Sequence, residues 1–247
     1  MFKRFSLVVY LALAFLALSG LIYYIHYLVF RDVYHIFIYL VGDLAFLPLE
    51  VLLVVLIIER VLARREKQAK LQKLNMVVGA FFTEVGNHLL ATMLPYFGNR
   101  AEIAEHMSVS ANWDRKDFKR AADYAYHLNV ELDARDVDLE ELRNFLSQKR
   151  TFILTLLENP NLLEHDRFTK LLWAVTHLDE ELEARLSLKK LPAKDLEHLA
   201  VDIQRMYDHL ASEWLGYVEH LKANYPFLFS LILRTHPFQA KPSPVFS

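Results

Sequence analysis

Two long apolar runs, separated only by a short polar turn, constrain this chain more than anything else in it. The first is Phe5 to Val29 and the second Ile36 to Ile58. About 20 consecutive apolar residues in a helix match the ~30 Å hydrocarbon thickness of a bilayer. The second run also holds two acids, Asp43 and Glu50. A carboxylate at bilayer depth costs a few kcal/mol even on the most lenient insertion scale, so an acid there calls for a physical reason.

Charge sets the expected orientation. Lys3 and Arg4 precede the first run, the connection is nearly neutral, and Arg60, Arg64, Arg65, Lys67, Lys70 and Lys73 follow the second. The positive-inside rule then places both termini in the cytoplasm, with a very short external turn. Tyr23, Tyr24, Tyr27, Tyr34 and Tyr39 crowd the outer ends, as an interfacial aromatic belt does. Ala17-Leu18-Ser19 offers small residues for signal peptidase, but the apolar stretch runs on through Val29. That is longer than the usual 7–15-residue apolar region of a signal peptide, and an uncleaved first span is expected. Arg60 to Lys73 lies where it can meet anionic headgroups, each charge contributing about 1 kcal/mol near the surface; the plainer reading is that it sets topology alone.

The segments Phe30-Arg31-Asp32-Val33-Tyr34-His35-Ile36-Phe37-Ile38-Tyr39-Leu40, Gly42 to Glu50 and Lys73-Leu74-Asn75-Met76-Val77-Val78-Gly79-Ala80-Phe81-Phe82 resemble a family of two-span prokaryotic inner-membrane proteins with a helical cytoplasmic domain and no assigned activity. The resemblance covers about residues 20 to 95. It implies topology and an inner-membrane location, and it implies no mechanism.

Asp43 and Glu50 are seven apart and share one helical face, with Gly42 and Pro48 beside them. Pro48 removes a backbone donor and frees the carbonyl of Leu44, which can serve a cation or a hydrogen-bond donor. Counted from Tyr34, the acids lie about 13 and 24 Å along the helix, well inside it. Three uses are open. The acids can be structural, neutral or hydrogen-bonded to the other span or a neighbouring subunit. They can recognise a partner in the membrane. They can also line a pore; two spans enclose none, so conduction requires an oligomer with rings of Asp43 and Glu50. Ala14, Ala17 and Gly20 supply small residues for helix packing. His26 and His35 stand at the outer rim, where histidine can sense pH or merely tolerate the interface.

The remaining ~180 residues are enough for one domain with its own core. Leu71, Leu74, Val78, Phe81, Val85 and Leu89 form one face of an amphipathic helix. The second span is therefore expected to run on as one long helix, bent near Gly79 or Gly86. Further helices are expected over Asn99–Met107, over Trp113–Asn129 with Asn112 as N-cap, from Asp138 to Asn159, over Asp166–Leu186, from Pro192 to Asn224, and over Phe227–Leu233. The last is too short to span and is expected to pack onto the bundle. The fold class is all-α: a two-helix transmembrane hairpin (residues 1–60, spans about 5–28 and 35–58), a basic amphipathic helix (61–95), an antiparallel helical bundle (96–235) and a tail (236–247).

Chemistry is sparse. There is no cysteine, so thiol catalysis, disulfides and Cys-ligated zinc are excluded. A net charge of -2 favours no nucleic acid. Phosphate-binding loops, nucleophile elbows and His-Glu-x-x-His are absent from the sequence. Several acids and histidines stand four apart, including Glu84 and His88, Glu102 and His106, His177 and Glu181, and His209 and Glu213. Among 11 histidines such pairs arise readily by chance, and Asp195-x-x-His198 is the nearest approach to a di-metal motif. No catalytic residue, metal site or cofactor is expected. The acidic run Asp179–Glu183 reads as a solvated face, and Trp113, Trp173 and Trp214 as core.

The sequence thus describes an integral, multi-pass protein of the prokaryotic cytoplasmic membrane. Its helical domain is regulatory or scaffolding and not catalytic. Its partners are the bilayer, anionic headgroups, and a second copy or a membrane partner protein. The alternative is a homo-oligomeric cation or proton channel whose pore site is Asp43, Glu50 and Pro48.

Overall fold

The computed structural model describes residues 2–159, 162, 165–239 and 241–245, and of residues 2–8 and 67–72 the backbone alone. Among the described residues there are helices and no strand. The chain divides into two compact units, Met1–Lys67 and Gln68–Ser247.

The first unit consists of α1 (Phe2–Phe30) and the beginning of α2 (Val33–Phe81). Arg31 turns the chain with a left-handed φ of 52°, and its N–H donates to the Tyr27 carbonyl at 2.8 Å. Asp32 starts α2 by accepting from the backbone N–H groups of Tyr34 (2.9 Å) and His35 (3.2 Å), as an N-cap carboxylate does. The rings of His26, Phe30, His35 and Tyr39 gather at this turn. From Val9 to Glu66 every side chain is exposed except the half-buried His26, His35 and Ile36. Gly20 and Gly42 have no atom within 4 Å of where a Cβ would stand. Val9–Phe30 and Val33–Glu66 are each long and apolar enough to cross a membrane.

Lys73–Tyr96 is also long and apolar enough, yet one face of it is covered, with Met76 left exposed on the other. Val78, Phe81, Phe82, Val85, Leu89 and Leu90 are buried in the core of the second unit. α2 gives way at Phe82–Gly86 to a single π-helical turn, followed by α3 (Asn87–Met93) and a short 3-10 turn. Such a turn widens the helix locally and shifts its face. Here it lets Phe82 stack on Tyr217 (5.2 Å) while Phe81 meets Phe168 edge-on (5.4 Å). Gly86 makes room for this: an added Cβ would lie 2.9 Å from Phe82 Cε1.

α4 (Arg100–Met107), α5 (Arg115–Tyr126), α6 (Leu139–Leu157), α7 (Asp166–Glu183), α8 (Ala193–Asn224) and α9 (Pro226–Thr235) complete the second unit. α8 is its axis and packs against α3, α5, α7 and α9. Tyr207, Leu210, Trp214, Leu215 and Val218 on α8 are fully buried. α7 and α8 run antiparallel: His165 at the start of α7 faces Glu213, while His177 further along faces Asp202. α9 buries Phe229 and leaves Phe227, Leu228 and Leu231 exposed.

Three sequence expectations are corrected. α5 is capped by Asp114, not Asn112; Asp114 accepts from Lys116 and Asp117 while Asp117 bonds back to Asp114 N–H. A reciprocal capping box satisfies two orphan donors and outcompetes a single cap two residues earlier. Trp173 is not core but 59% exposed, since its flanks Leu171, Leu172, Ala174 and Val175 carry the inward face of α7. Asp179 does not belong to a solvated face; it is 2% exposed and accepts from Arg150 Nη1 at 2.6 Å, so the first acid of the run is the buried partner of an α6 cation.

Candidate functional site

A polar pocket of about 370 Å³ opens in the second unit between the C-terminal part of α2, α5, the start of α7 and α8. Its floor is the α8 stretch Ser212, Glu213, Gly216 and Tyr217. Ser212 Oγ donates to the Ala122 carbonyl at 3.0 Å and ties α8 to α5. Gly216 has nothing within 4 Å of a would-be Cβ, which keeps the floor low. Arg115, Lys119 and Arg167 bring positive charge to the rim; Asp123 and Glu219 bring negative charge.

Glu213 is the anomalous group. Burial pushes its carboxyl up to about 7, against a weaker opposing pull from Arg167. His165 Nδ1 stands 3.9 Å from Glu213 Oε2, but the same Nδ1 accepts the Phe168 N–H at 3.1 Å as the N-cap of α7. That nitrogen therefore carries no proton for Glu213. Burial lowers the His165 pKa as well, so below about pH 7 the two groups are not an ion pair. One turn back, burial raises Asp208 to about 7. A concave site with a few convergent polar groups and a perturbed carboxyl is the usual form of a small-molecule pocket.

A second cluster lies between α7 and α8. His177 and His198 turn their Nε2 atoms toward Asp202 Oδ2, at 3.5 and 3.3 Å. Asp202 is 2% exposed, and Arg205 Nη1 holds its other oxygen at 2.7 Å. Among the described residues Oδ2 itself has no hydrogen-bond partner. Sequence spacing links His177 to Glu181 and Asp195 to His198 within single helices. His198 and Asp202 are also four apart on α8, so spacing carries that half of the group; only the register of α7 on α8 brings His177 to it.

The residues singled out from sequence lie elsewhere. Asp43, Pro48 and Glu50 stand exposed on α2, and among the described residues neither acid has a hydrogen-bond or ion partner. Arg60, Arg64, Arg65 and Lys73 are exposed, while the side chains of Lys67 and Lys70 lie outside the described residues. The four-apart pairs find separate uses: Glu84 binds Lys149 at 2.9 Å, and Glu102 accepts from Tyr124 Oη at 3.2 Å.

The sequence pattern of the family described as "Uncharacterized protein MJ1433, C-terminal helical domain" matches residues 70–234, and that of its N-terminal helical domain matches residues 3–62. The protein MJ1433 of Methanocaldococcus jannaschii is 45% identical over 239 residues, covering 97% of this chain and 95% of its own length. No solved structure matches.

Proposed function

The chain belongs to the MJ1433 family of helical proteins, and on that footing we propose that it is an integral membrane protein, anchored by α1 and α2, whose helical domain is a non-catalytic regulatory module. One observation carries the reading. The first unit exposes nearly all of its apolar side chains, while the second builds a buried apolar core of its own. An apolar surface of this extent is stable only when lipid or another apolar surface covers it. Val9–Phe30 and Val33–Glu66 have the length that lipid requires. The basic residues after the second span support N-in, C-in topology, with residues 61–247 in the cytoplasm and the basic stretch near anionic headgroups. The pocket around Glu213 supports the regulatory role: its mixed charges suit a small polar ligand. Asp43 and Glu50, unpartnered on one face, support self-association or a membrane partner, since an acid in lipid needs a donor from somewhere.

The same two acids favour a second reading, a homo-oligomeric cation or proton channel. The test of the anchor is alkaline carbonate extraction of native membranes together with protease added outside intact cells. Retention in the membrane and a protected C-terminus are expected; release by carbonate or external cleavage of the C-terminal domain overturns the reading. For the channel, cation flux into liposomes carrying wild type, Asp43→Asn or Glu50→Gln decides: flux lost in the variants supports a pore, and no flux in wild type removes it.

A further inference from the structure

We infer that α7 and α8 together form a binding site for one divalent transition-metal ion, with His177, His198 and Asp202 as protein ligands. The three ligand atoms lie within 4.8 Å of one another. His177 Nε2 and His198 Nε2 stand 3.5 and 3.3 Å from Asp202 Oδ2. These separations are too long for good hydrogen bonds. They are close to the edge of a tetrahedron built on metal–ligand bonds of 2.0–2.1 Å, which is about 3.3–3.4 Å.

The buried carboxylate is the independent sign. Asp202 is almost wholly removed from water, yet Oδ2 accepts no hydrogen bond. An unsatisfied carboxylate oxygen in that position costs free energy unless something positive sits against it. Arg205 serves only Oδ1, and so fixes the carboxylate plane with Oδ2 aimed between the two imidazoles. This is the outer-shell arrangement that holds a ligand in place. Two imidazoles and one carboxylate, with no thiolate in the chain, suit zinc or another first-row divalent ion over calcium or magnesium. His177 and His198 are half exposed, which gives an ion a path in and leaves the remaining coordination position open to water. Glu181 Oε2 lies 3.6 Å from His198 Nε2 and is held by Arg185 Nη1 at 2.8 Å, within reach of a water on that side.

The experiment uses the full chain in detergent, stripped with chelator and titrated with Co²⁺ and then Zn²⁺. One equivalent of Co²⁺ is expected to bind per chain with the intense visible absorption of a four-coordinate ion, and Zn²⁺ to displace it. Because both histidines are half exposed, His177→Gln and His198→Gln are expected to fold like the wild type. Each should lose more than the 10–100-fold in affinity that removal of an outer-shell partner costs. Asp202→Asn tests the carboxylate, with its melting curve recorded beside it. Binding of Co²⁺ or Zn²⁺ that is unchanged in the folded His177→Gln/His198→Gln double variant, or no stoichiometric binding by wild type, overturns the site.

Discussion

Glu213 Oε2 and His165 Nδ1 face each other at 3.9 Å, too far for a hydrogen bond, and the histidine nitrogen already accepts the Phe168 N–H. A carboxyl buried beside an acceptor keeps its own proton. The charged groups around the pair are Arg167 at the start of α7, Asp123, Arg115 and Lys119 on α5, and Glu219 on α8 itself. Burial raises Glu213 and outweighs the opposing pull of Arg167.

A pH dependence follows from this pair. The folded-state pKa of Glu213 is raised to about 7 from 4.5. Between those values the unfolded chain releases its proton while the folded chain retains it, so stability falls as pH rises through the window and levels off above about 7. The size is on the order of 3 kcal/mol for Glu213, and Asp208 contributes in the same direction. Glu213→Gln keeps the shape and removes the titration. Denaturant unfolding followed by tryptophan fluorescence is expected to show the variant more stable than wild type at pH 8 and nearly equal to it at pH 4.5. A pH-independent difference would refute the assignment.

Arg150 and Asp179 pair across the α6–α7 contact, the carboxylate buried and the Arg150 side chain 39% exposed. Removing one partner strands the other charge. Arg150→Ala is expected to destabilise the domain by about 2 kcal/mol at pH 8, the value for a buried pair reduced for the arginine's exposure. Burial already raises the Asp179 pKa, so the orphaned acid takes up a proton at lower pH. The loss should therefore shrink in melts recorded at pH 5.

Two helical glycines should respond in opposite directions. Gly216 has open space where a Cβ would go, and Gly216→Ala is expected to stabilise α8 by about 0.5–1 kcal/mol through reduced chain entropy. Gly86 is closed in by Phe82 and Phe81, both fully buried. Gly86→Ala must displace a packed ring and is expected to cost about 1–3 kcal/mol. Thermal melts of the two variants, measured side by side, check both signs.

The exposed acids of α2 give a prediction within the membrane. If Asp43 and Glu50 meet donors on a neighbouring copy, Asp43→Asn and Glu50→Gln weaken self-association in native membranes, and the Asp43→Asn/Glu50→Gln pair weakens it further, each interhelical hydrogen bond being worth about 0.6 kcal/mol. Chemical cross-linking before detergent extraction reads the oligomer. An unchanged ladder in the double variant would count against this role.

Much of the architecture was legible in residue order alone, because it rests on local signals. The apolar runs, the 3.6-residue stripe from Leu74 to Leu89, the Asp138 cap accepting from Glu141 N–H at 2.9 Å, and the Tyr225-Pro226 break that ends α8 all act within one or two turns. Close to Gly86, where a bend is expected, the helix carries a π-helical turn at Phe82–Gly86, a form not readable from the sequence, since it goes with where Tyr217 presents a ring. Trp173 misled because a large ring at the edge of an apolar stripe looks inward until the neighbouring helix is placed.

The sequence by itself determined a helical chain with two lipid-length apolar helices ahead of a domain with its own core, because hydrophobic period and run length are properties of neighbours along the chain. Tertiary structure alone decided that Glu213 would be buried beside His165, that Asp179 would leave the solvent, and that His177 would meet His198 and Asp202. Each of those depends on the register of α7 against its neighbours α6 and α8. That register is set by the packing of many distant side chains, and no spacing within a single helix encodes it.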